Sequence, residues 1–271
     1  MPNSNPKDKG DSTDRRISPA EARRRALLAE MVGTFALTFV AAGGAVIAAV
    51  NGGPAHSAGQ AVAPGLVVAA LVYALGDDSG AHFNPCVTFA FALRGVFRWR
   101  WVPAYWAAQV VGALAAALLL SALFGPAIDA GATHARFGDL TSVAMETVLT
   151  FLLLVVVLGT ASRYSLIGAD AALAVGATIA CLGLFAGPIS GASMNPARSL
   201  GPAVVSGALG DFWVYLVGPF AGALLAVGVT AVLHRRRHPH EVQAAQGDHL
   251  EPVRPEAESG VRDAGRNDDD A

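Results

Sequence analysis

The sequence predicts an all-α membrane protein with six transmembrane helices and two re-entrant half-helices, arranged as an inverted repeat. Three observations predict this fold. Six apolar segments are long enough to cross a bilayer, basic residues collect at alternate ends of these segments, and two Asn-Pro boxes occur at matched places in the two halves. Only 15% of the residues are charged, against about 25% in soluble domains, which argues against a soluble fold.

The apolar segments come first. A membrane helix needs about 20 mostly apolar residues to cross about 30 Å of hydrocarbon. Six segments meet this requirement: 26–50, 60–77, 101–124, 141–161, 168–187 and 211–233. A buried core helix would explain one such segment but not six in succession. The first segment is longer than the apolar core of a signal peptide, about 7–15 residues, and no convincing cleavage site follows it. We therefore expect it to remain as a helix.

Composition divides the chain into three parts. Residues 1–25 form a polar N-terminal tail, residues 26–233 form the membrane domain, and residues 234–271 form a polar C-terminal tail that we expect to be disordered. The repeat halves of the membrane domain are about 26–124 and 141–233. The histidines of the C-terminal tail are more typical of a solvated cationic flank than of a metal site.

Basic residues predict the orientation. They collect before the first segment, between the second and third, between the fourth and fifth, and after the sixth: Arg15, Arg16, Arg23, Arg24, Arg25, Arg94, Arg98, Arg100, Arg163, Arg235, Arg236 and Arg237. The loop 51–59 has no Lys or Arg, and the loop 125–140 has only Arg136. The positive-inside rule places these clusters in the cytoplasm. We therefore expect both termini to be cytoplasmic and the chain to lie in the plasma (inner) membrane.

Two connections are unlike ordinary loops. Residues 79–91 read SGAHFNPCVTFAF, and residues 190–200 read SGASMNPARSL. Asn is a preferred N-cap and Pro suits the first helical position, so each box predicts a helix that begins at Asn84 or Asn195. About ten apolar residues follow each box and span about 15 Å, which is half a bilayer. Irregular backbone at this depth is tolerated only inside protein or along a water-filled cavity.

The two halves are also related by sequence. Residues 30–35 read EMVGTF and residues 146–151 read ETVLTF, an offset of 146 − 30 = 116, while the Asn-Pro boxes are offset by 195 − 84 = 111. Each half therefore carries three crossings and one half-helix. An odd number of crossings inverts the second half relative to the first. Inverted repeats with broken helices place a site near the midplane, at the repeat interface.

Two half-helices that enter from opposite faces would meet N-terminus to N-terminus. Each N-terminus carries about half a positive charge and free N–H groups, which repel cations. A neutral solute can accept hydrogen bonds from the amides of Asn84 and Asn195. Water held by both donors presents only its oxygen to them, so a proton relay is interrupted. One Asn-Pro pair is a weak turn signal, whereas two matched pairs predict a pore for small uncharged solutes.

Four further side chains are candidates for roles near the boxes. Arg198 follows Asn195 by about one turn, and a membrane Arg must face a wet cavity or a partner unless it snorkels to the interface. Glu30 and Glu146 are either proton relays or, as we favour, acceptors for the backbone N–H groups of the re-entrant loops. His82 is interpreted as a structural hydrogen-bond donor.

The two cysteines, Cys86 and Cys181, have neither metal-site nor disulfide spacing, and we interpret both as buried free thiols. Cys86 stands two residues after Asn84, so we predict that it lies near the pore centre and is a site of mercurial block. The alternative is a thiol buried against neighbouring helices and inert. No metal or cofactor is predicted, and a formal net charge of −2 gives no reason to expect nucleic acid.

The membrane part resembles the aquaporin, or major intrinsic protein, family. The resemblance rests on both Asn-Pro boxes with Pro85, Cys86, Pro196 and Ala197, on the paired glutamates, and on residues 104–109 and 195–203, which read AYWAAQ and NPARSLGPA. It covers about residues 26–233. It implies six crossings, two half-helices, one pore per subunit and a homotetramer.

The resemblance also implies a constriction near the extracellular end of the pore. Counted from the boxes, its four positions are Pro64, Gly183, Ala192 and Arg198. Strict water channels resemble one another in having Phe and His at the first two positions, and glycerol facilitators usually have aromatic residues there. Here both are absent. The region around the second box looks most like the nodulin-26-like branch and its bacterial relatives, whose members with small constriction residues are associated with larger neutral solutes, including undissociated metalloid acids.

Three classes of function are open to this sequence. The first is a passive channel for water and uncharged solutes such as glycerol, urea, or arsenous or boric acid, with a strictly water-selective pore as its narrower form. The second is a coupled secondary transporter, which also uses inverted repeats but requires ion-binding carboxylates; the crossings offer only Glu30 and Glu146. The third, an enzyme, is not expected because the membrane sequence contains no nucleophile–base pair.

Overall fold

The computed structural model describes residues 18–54, 56–161, 169–234 and 239–247. In this part of the chain it forms the following α-helices: α1 (Pro19–Val50), α2 (Ala58–Ser79), α3 (Pro85–Arg94), α4 (Val102–Phe124), α5 (Asp139–Ala161), α6 (Ala169–Ser190), α7 (Pro196–Ser206), α8 (Val214–Leu233) and α9 (Pro239–Gln246). Helices α1, α2, α4, α5, α6 and α8 are long and apolar enough to cross a membrane. Helices α3 and α7 are the two half-helices, so the predicted fold class is confirmed.

The first two helices begin at local capping sequences. Helix α1 starts at Pro19 rather than at residue 26, because the Ser18 hydroxyl accepts a hydrogen bond from the Glu21 N–H over 3.2 Å and Pro19 suits the first position. Helix α2 starts with a reciprocal capping box between Ser57 and Gln60. The predicted N-terminal tail therefore contributes its last residues to α1, and residues 1–17 lie outside the described part.

Both half-helices begin at the asparagines of the boxes. Asn84 Oδ1 accepts from the Cys86 N–H over 2.9 Å, and Asn195 Oδ1 accepts from the N–H groups of Ala197 and Arg198 over 3.0 and 3.2 Å. In each box the proline occupies the start of the helix. The caps satisfy N–H groups that a helix start leaves unpaired, and this explains why Asn precedes Pro in both boxes.

The repeat is visible in the packing. Helix α1 packs along α4 as α5 packs along α8, and α2 and α6 pack together where the two halves meet. Glycines permit the close packing of α1 on α4 and of α5 on α8. A Cβ on Gly112 would lie 2.2 Å from the Met31 carbonyl oxygen, and a Cβ on Gly222 would lie 2.4 Å from that of Thr147. Each half-helix packs on a helix of the opposite half, α3 on α8 and α7 on α4.

The structure corrects one expectation about the C-terminal tail. Within residues 234–271, which were expected to be disordered, residues 239–246 form α9. Glu241, Ala245 and Gln246 are buried because they contact the membrane domain, as described below. Composition alone misses this helix, since only tertiary contacts distinguish it from a solvated polar segment. Residues 248–271 lie outside the described part.

Candidate functional site

One cavity of about 470 Å³ runs through the membrane domain. At one end it is bordered by His56 and Arg136, which belong to the connections after α1 and α4; this end is called the loop end. At the other end it is bordered by Asp77 of α2 and by Gly247, next to α9; this end is called the α9 end. Between them the wall comes from both repeat halves, as a path across the membrane requires.

The two Asn-Pro boxes meet in this cavity. Asn84 Nδ2 donates to the Met194 carbonyl oxygen over 2.8 Å, and Asn195 Nδ2 donates to the Phe83 carbonyl oxygen over 2.8 Å. Each amide is thus fixed by the loop of the opposite half. Since a side-chain amide carries two N–H groups and both asparagines line the cavity, each retains a second donor for a passing solute.

The loop before α3 is held by Glu30. Its carboxylate accepts from the Ser79 hydroxyl and from the N–H groups of His82 and Phe83, each over 2.8 Å, and from Gln109 Nε2 over 2.7 Å. Glu30 is fully buried, and such an anion needs several donors. The carboxylate therefore supports the loop, as an acceptor for its backbone N–H groups.

Glu146 holds the loop before α7 in the same way. Its carboxylate accepts from the Ser190 hydroxyl over 2.7 Å and from the N–H groups of Ser193 and Met194 over 2.9 and 2.7 Å. In both loops two residues other than glycine have φ between 45° and 55°, namely Ala81, Phe83, Ala192 and Met194. Such conformations cost about 1–3 kcal/mol each, so the carboxylates offset strain that turns the loops along the cavity.

All four predicted constriction residues, Pro64, Gly183, Ala192 and Arg198, line the cavity. Arg198 Nη1 is buried and has no hydrogen-bond partner within the described part of the chain, so the guanidinium keeps an unused donor beside this space. Gly183 has a second role, because a Cβ there would lie 3.0 Å from the Ala61 carbonyl oxygen of α2. The glycine thus also permits close packing of α6 on α2. Val68 of α2 lines the cavity as well.

Sequence reasoning missed His56, which also borders the loop end. Its Nε2 is buried and has no partner among the residues that the structure describes. The adjacent helix start is anchored by Gln60, whose Nε2 donates to the Gly44 carbonyl oxygen over 3.1 Å. Burial and the charges of Arg136 and Arg198 lower the pKa of His56 below its ordinary value of 6.5. The ring is therefore neutral at pH 7. The one sequence signal for a role at the pore is that His56 directly precedes Ser57, the N-cap of α2.

Several box residues lie behind the cavity wall. Pro85, Pro196 and Ala197 are buried at the starts of α3 and α7. Cys86 is fully buried in an apolar cluster with Ala90, Phe91 and Tyr105, so the predicted place at the pore centre is corrected to the packed interior. Cys86 lies on the side of α3 that packs in this cluster, and it is not part of the cavity lining. Cys181 is exposed on α6, which corrects the expectation of a buried thiol.

His82 joins the first box to the C-terminal helix. Its Nε2 lies 2.9 Å from the Ala245 carbonyl oxygen and its Nδ1 lies 3.0 Å from Thr88 Oγ1. A carbonyl oxygen can only accept, so the partners assign the proton to Nε2 and leave Nδ1 as an acceptor. His82 is therefore a structural donor, and its acceptor belongs to the segment that was expected to be disordered.

The fold and the site together define a class of protein. Six crossings in an inverted repeat, with two half-helices whose capping asparagines meet inside one cavity, are the architecture of a membrane channel. The model of the major intrinsic protein family matches residues 18–229. The chain belongs to this family, and it is a channel for water and small neutral solutes.

Similar proteins agree with this assignment. Aquaporin NIP1-3 of Oryza sativa subsp. japonica is 49% identical over 199 residues, which cover 73% of this chain and 70% of the relative. Aquaporin NIP2-3 of Zea mays is 42% identical over 198 residues, which cover 73% and 66%. The X-ray structure of the aquaglyceroporin from Plasmodium falciparum superposes with a TM-score of 0.66 at 24% identity, covering 76% of this chain and 95% of that one. This last likeness supports the fold.

Proposed function

We propose that the protein passively conducts water and larger uncharged solutes such as glycerol, urea or undissociated metalloid acids, and that it excludes protons and ions. One observation carries the proposal. A single cavity is lined by Asn84 and Asn195 and, toward the loop end, by Arg198, whose Nη1 has no partner within the described ranges. These groups are donors, so they bind the oxygen atoms of neutral solutes in sequence.

Exclusion of cations follows from the charge of the same groups. The N-termini of α3 and α7 carry partial positive charge at the middle of the cavity, and Arg198 adds a full charge. Positive half-helix ends and a fixed Arg are a known barrier to protons and cations. Glu30 and Glu146 offer no anionic site at the cavity surface, because both carboxylates are fully buried and engaged by loop N–H groups. The same engagement disfavours a coupled transporter.

The solute range depends on the constriction. Pro64, Gly183 and Ala192 offer little bulk opposite Arg198, which favours solutes larger than water. The similar aquaporins of rice and maize carry NIP names, and this fits a channel of the nodulin-26-like branch. His56 favours a second candidate, a water-selective channel, because its Nδ1 lies 3.7 Å from where a Gly187 Cβ would stand and its ring narrows the same end.

The membrane setting is part of the proposal. The distribution of Arg residues supports a plasma (inner) membrane protein with the α9 end and both termini in the cytoplasm. Exposed apolar side chains cover the outer surface, among them Leu66, Phe185, Leu118 and Leu225, and they suit contact with lipid or with further copies in a homotetramer.

Stopped-flow light scattering on proteoliposomes tests the proposal. Purified protein is expected to raise permeability to water and to glycerol, urea and arsenous acid above that of empty liposomes, with no proton leak by an internal pH dye. Liposomes that pass water but exclude all three solutes would establish the water-selective candidate instead. Solute uptake that requires an ion gradient would overturn the channel.

A further inference from the structure

We propose that α9 is a pore-lining segment that narrows the α9 end of the cavity and limits the rate of permeation. This inference rests on the proposed channel function. It concerns residues 239–247, which lie outside the inverted repeat. Two sets of contacts carry it: those that dock α9 on the membrane domain, and those that place part of it in the cavity wall.

An ion pair inside the protein docks α9. Arg94 Nε at the end of α3 lies 2.7 Å from Glu241 Oε1, and the exposed fractions of the two side chains are 6% and 0%. Arg94 also donates through Nη2 to the His234 carbonyl oxygen. Removing one partner of such a pair leaves a buried charge uncompensated. Arg94 therefore stabilises the docked position of α9, and docked α9 compensates the charge of Arg94.

The other end of α9 contacts both the start of the first re-entrant loop and the segment after α3. Gln246 Nε2 donates to the carbonyl oxygen of Val96, two residues past α3, over 2.8 Å, and His82 of the loop donates to that of Ala245. The approach is close, since a Cβ on Gly80 would lie 2.7 Å from the Ala245 oxygen, and a Cβ on Gly247 would lie 2.4 Å from the Asp77 oxygen. The segment thus fits against backbone that continues directly to Asn84.

Docking brings α9 into the permeation path. Gln243, Ala244 and Gly247 line the same cavity as Asn84 and Arg198. The loop end offers a direct parallel. There Thr133 covers the second re-entrant loop, with its side chain 3.3 Å from where a Gly191 Cβ would stand and its hydroxyl 2.9 Å from Ser199 Oγ. Each re-entrant loop is therefore covered by a segment from outside the repeat, and each covering segment forms one mouth of the cavity.

Two truncations of the full chain test the inference. One ends after His234 and removes α9; the matched control ends after Gly247 and removes only the residues beyond it. Water and glycerol permeability per channel is measured in proteoliposomes, with protein incorporation quantified. Barriers in series add their resistances, so removing one that supplies half of the total or more raises permeability about twofold or more. We expect that rise only in the truncation after His234.

Point variants keep the inference testable if that truncation fails to fold. Glu241→Gln keeps the volume of the side chain but removes the anion opposite Arg94. Its matched control is Glu21→Gln, which breaks an exposed pair with Arg25. Hydrogen–deuterium exchange in nanodiscs is expected to show faster exchange of the 239–247 amides in Glu241→Gln alone, together with higher permeability.

The outcomes separate the two proposals. If every variant, including the full chain, fails to conduct, the proposed function is wrong. If the full chain conducts and loss of α9 or its release leaves permeability unchanged, the inference about α9 is wrong. An equal rise in both truncations would assign the effect to residues beyond Gly247 and would also overturn it.

Discussion

The two re-entrant loops share one scaffold and differ where they face the cavity. In each loop a buried Glu accepts from a Ser hydroxyl and two backbone N–H groups, a Tyr hydroxyl donates to the same Ser carbonyl oxygen, and an Asn crosses to the opposite loop. The members of the first set are Glu30, Ser79, Tyr105 and Asn84, and those of the second are Glu146, Ser190, Tyr215 and Asn195. The shared residues fix the backbone.

The residues that differ between the two loops make the charge and the hydrogen-bonding groups at the two ends of the cavity different. At the offset that relates Asn84 to Asn195, Val87 corresponds to Arg198, and His82 corresponds to Ser193. The first loop therefore has an uncharged residue, Val87, at the cavity, and its His82 donates a hydrogen bond to Ala245 of α9. The second has a small Ser193, whose hydroxyl lies by that of Ser199, and Ser199 in turn accepts from the Thr133 hydroxyl. This loop also places the cationic Arg198 beside the cavity. We accordingly propose that selectivity is set by the second loop and the loop end.

The largest expected effect breaks the shared scaffold. Gly33 packs against Phe83 so closely that a Cβ would lie 2.1 Å from the ring, whereas the equivalent Leu149 packs with Met194. We expect Gly33→Leu to destabilise the fold by about 3 kcal/mol or more, since overpacking forces backbone shifts. Thermal unfolding in detergent measures this. Adding Phe83→Met, which copies the second half, is expected to recover part of the loss; a Gly33→Leu protein as stable as the wild type would contradict the pairing.

The next effect compares the two carboxylates. Glu30→Gln and Glu146→Gln each place an amide N–H against loop N–H groups, and an unsatisfied buried donor costs about 1–3 kcal/mol. Gln109 Oε1 has no partner within the described ranges, so Gln109 can turn its amide and accept from Gln at position 30. We therefore expect Glu30→Gln to be the milder of the two by thermal unfolding. Equal losses would show that Gln109 does not adjust.

The scaffold is also the part that sequence predicts well. Capping by Asn84 and Asn195 and the pairing of Glu30 with Glu146 follow from local rules and from the repeat. The docking of α9 does not, because Arg94 and Glu241 are 147 residues apart and each alone resembles a solvated charge. The same limit applies to Cys86, because its position beside a capping Asn does not reveal which face of α3 is packed.

A third variant gives one position of the second half the residue that the first half has. Arg198→Val places in the second loop the residue type found at Val87. A unit charge about 4 Å from a permeating cation contributes about 4 kcal/mol near a protein surface, so its removal is expected to raise proton leak by about tenfold or more. An internal pH dye in proteoliposomes measures the leak. Val87→Ala is the matched control and is expected to leave it unchanged; an unchanged leak in Arg198→Val would leave the half-helix ends as the whole barrier.

The smallest expected effect concerns His56, whose ring borders the loop end of the cavity. His56→Ala removes a ring that borders the loop end, so we expect glycerol permeability to rise relative to water permeability by about two- to fivefold, less than about 1 kcal/mol of barrier. Because burial, Arg136 and Arg198 lower the pKa of His56 below 6.5, the wild-type ratio is expected to stay constant from about pH 8 to about pH 7. At a pH below 6.5, protonation of the His56 ring adds a positive charge at the loop end, and the permeability ratio is then expected to change. His56→Ala is expected to lack this change. A ratio that is unchanged in His56→Ala at every pH would place the ring outside the path, and the wide constriction of Pro64, Gly183 and Ala192 would then set the solute range by itself.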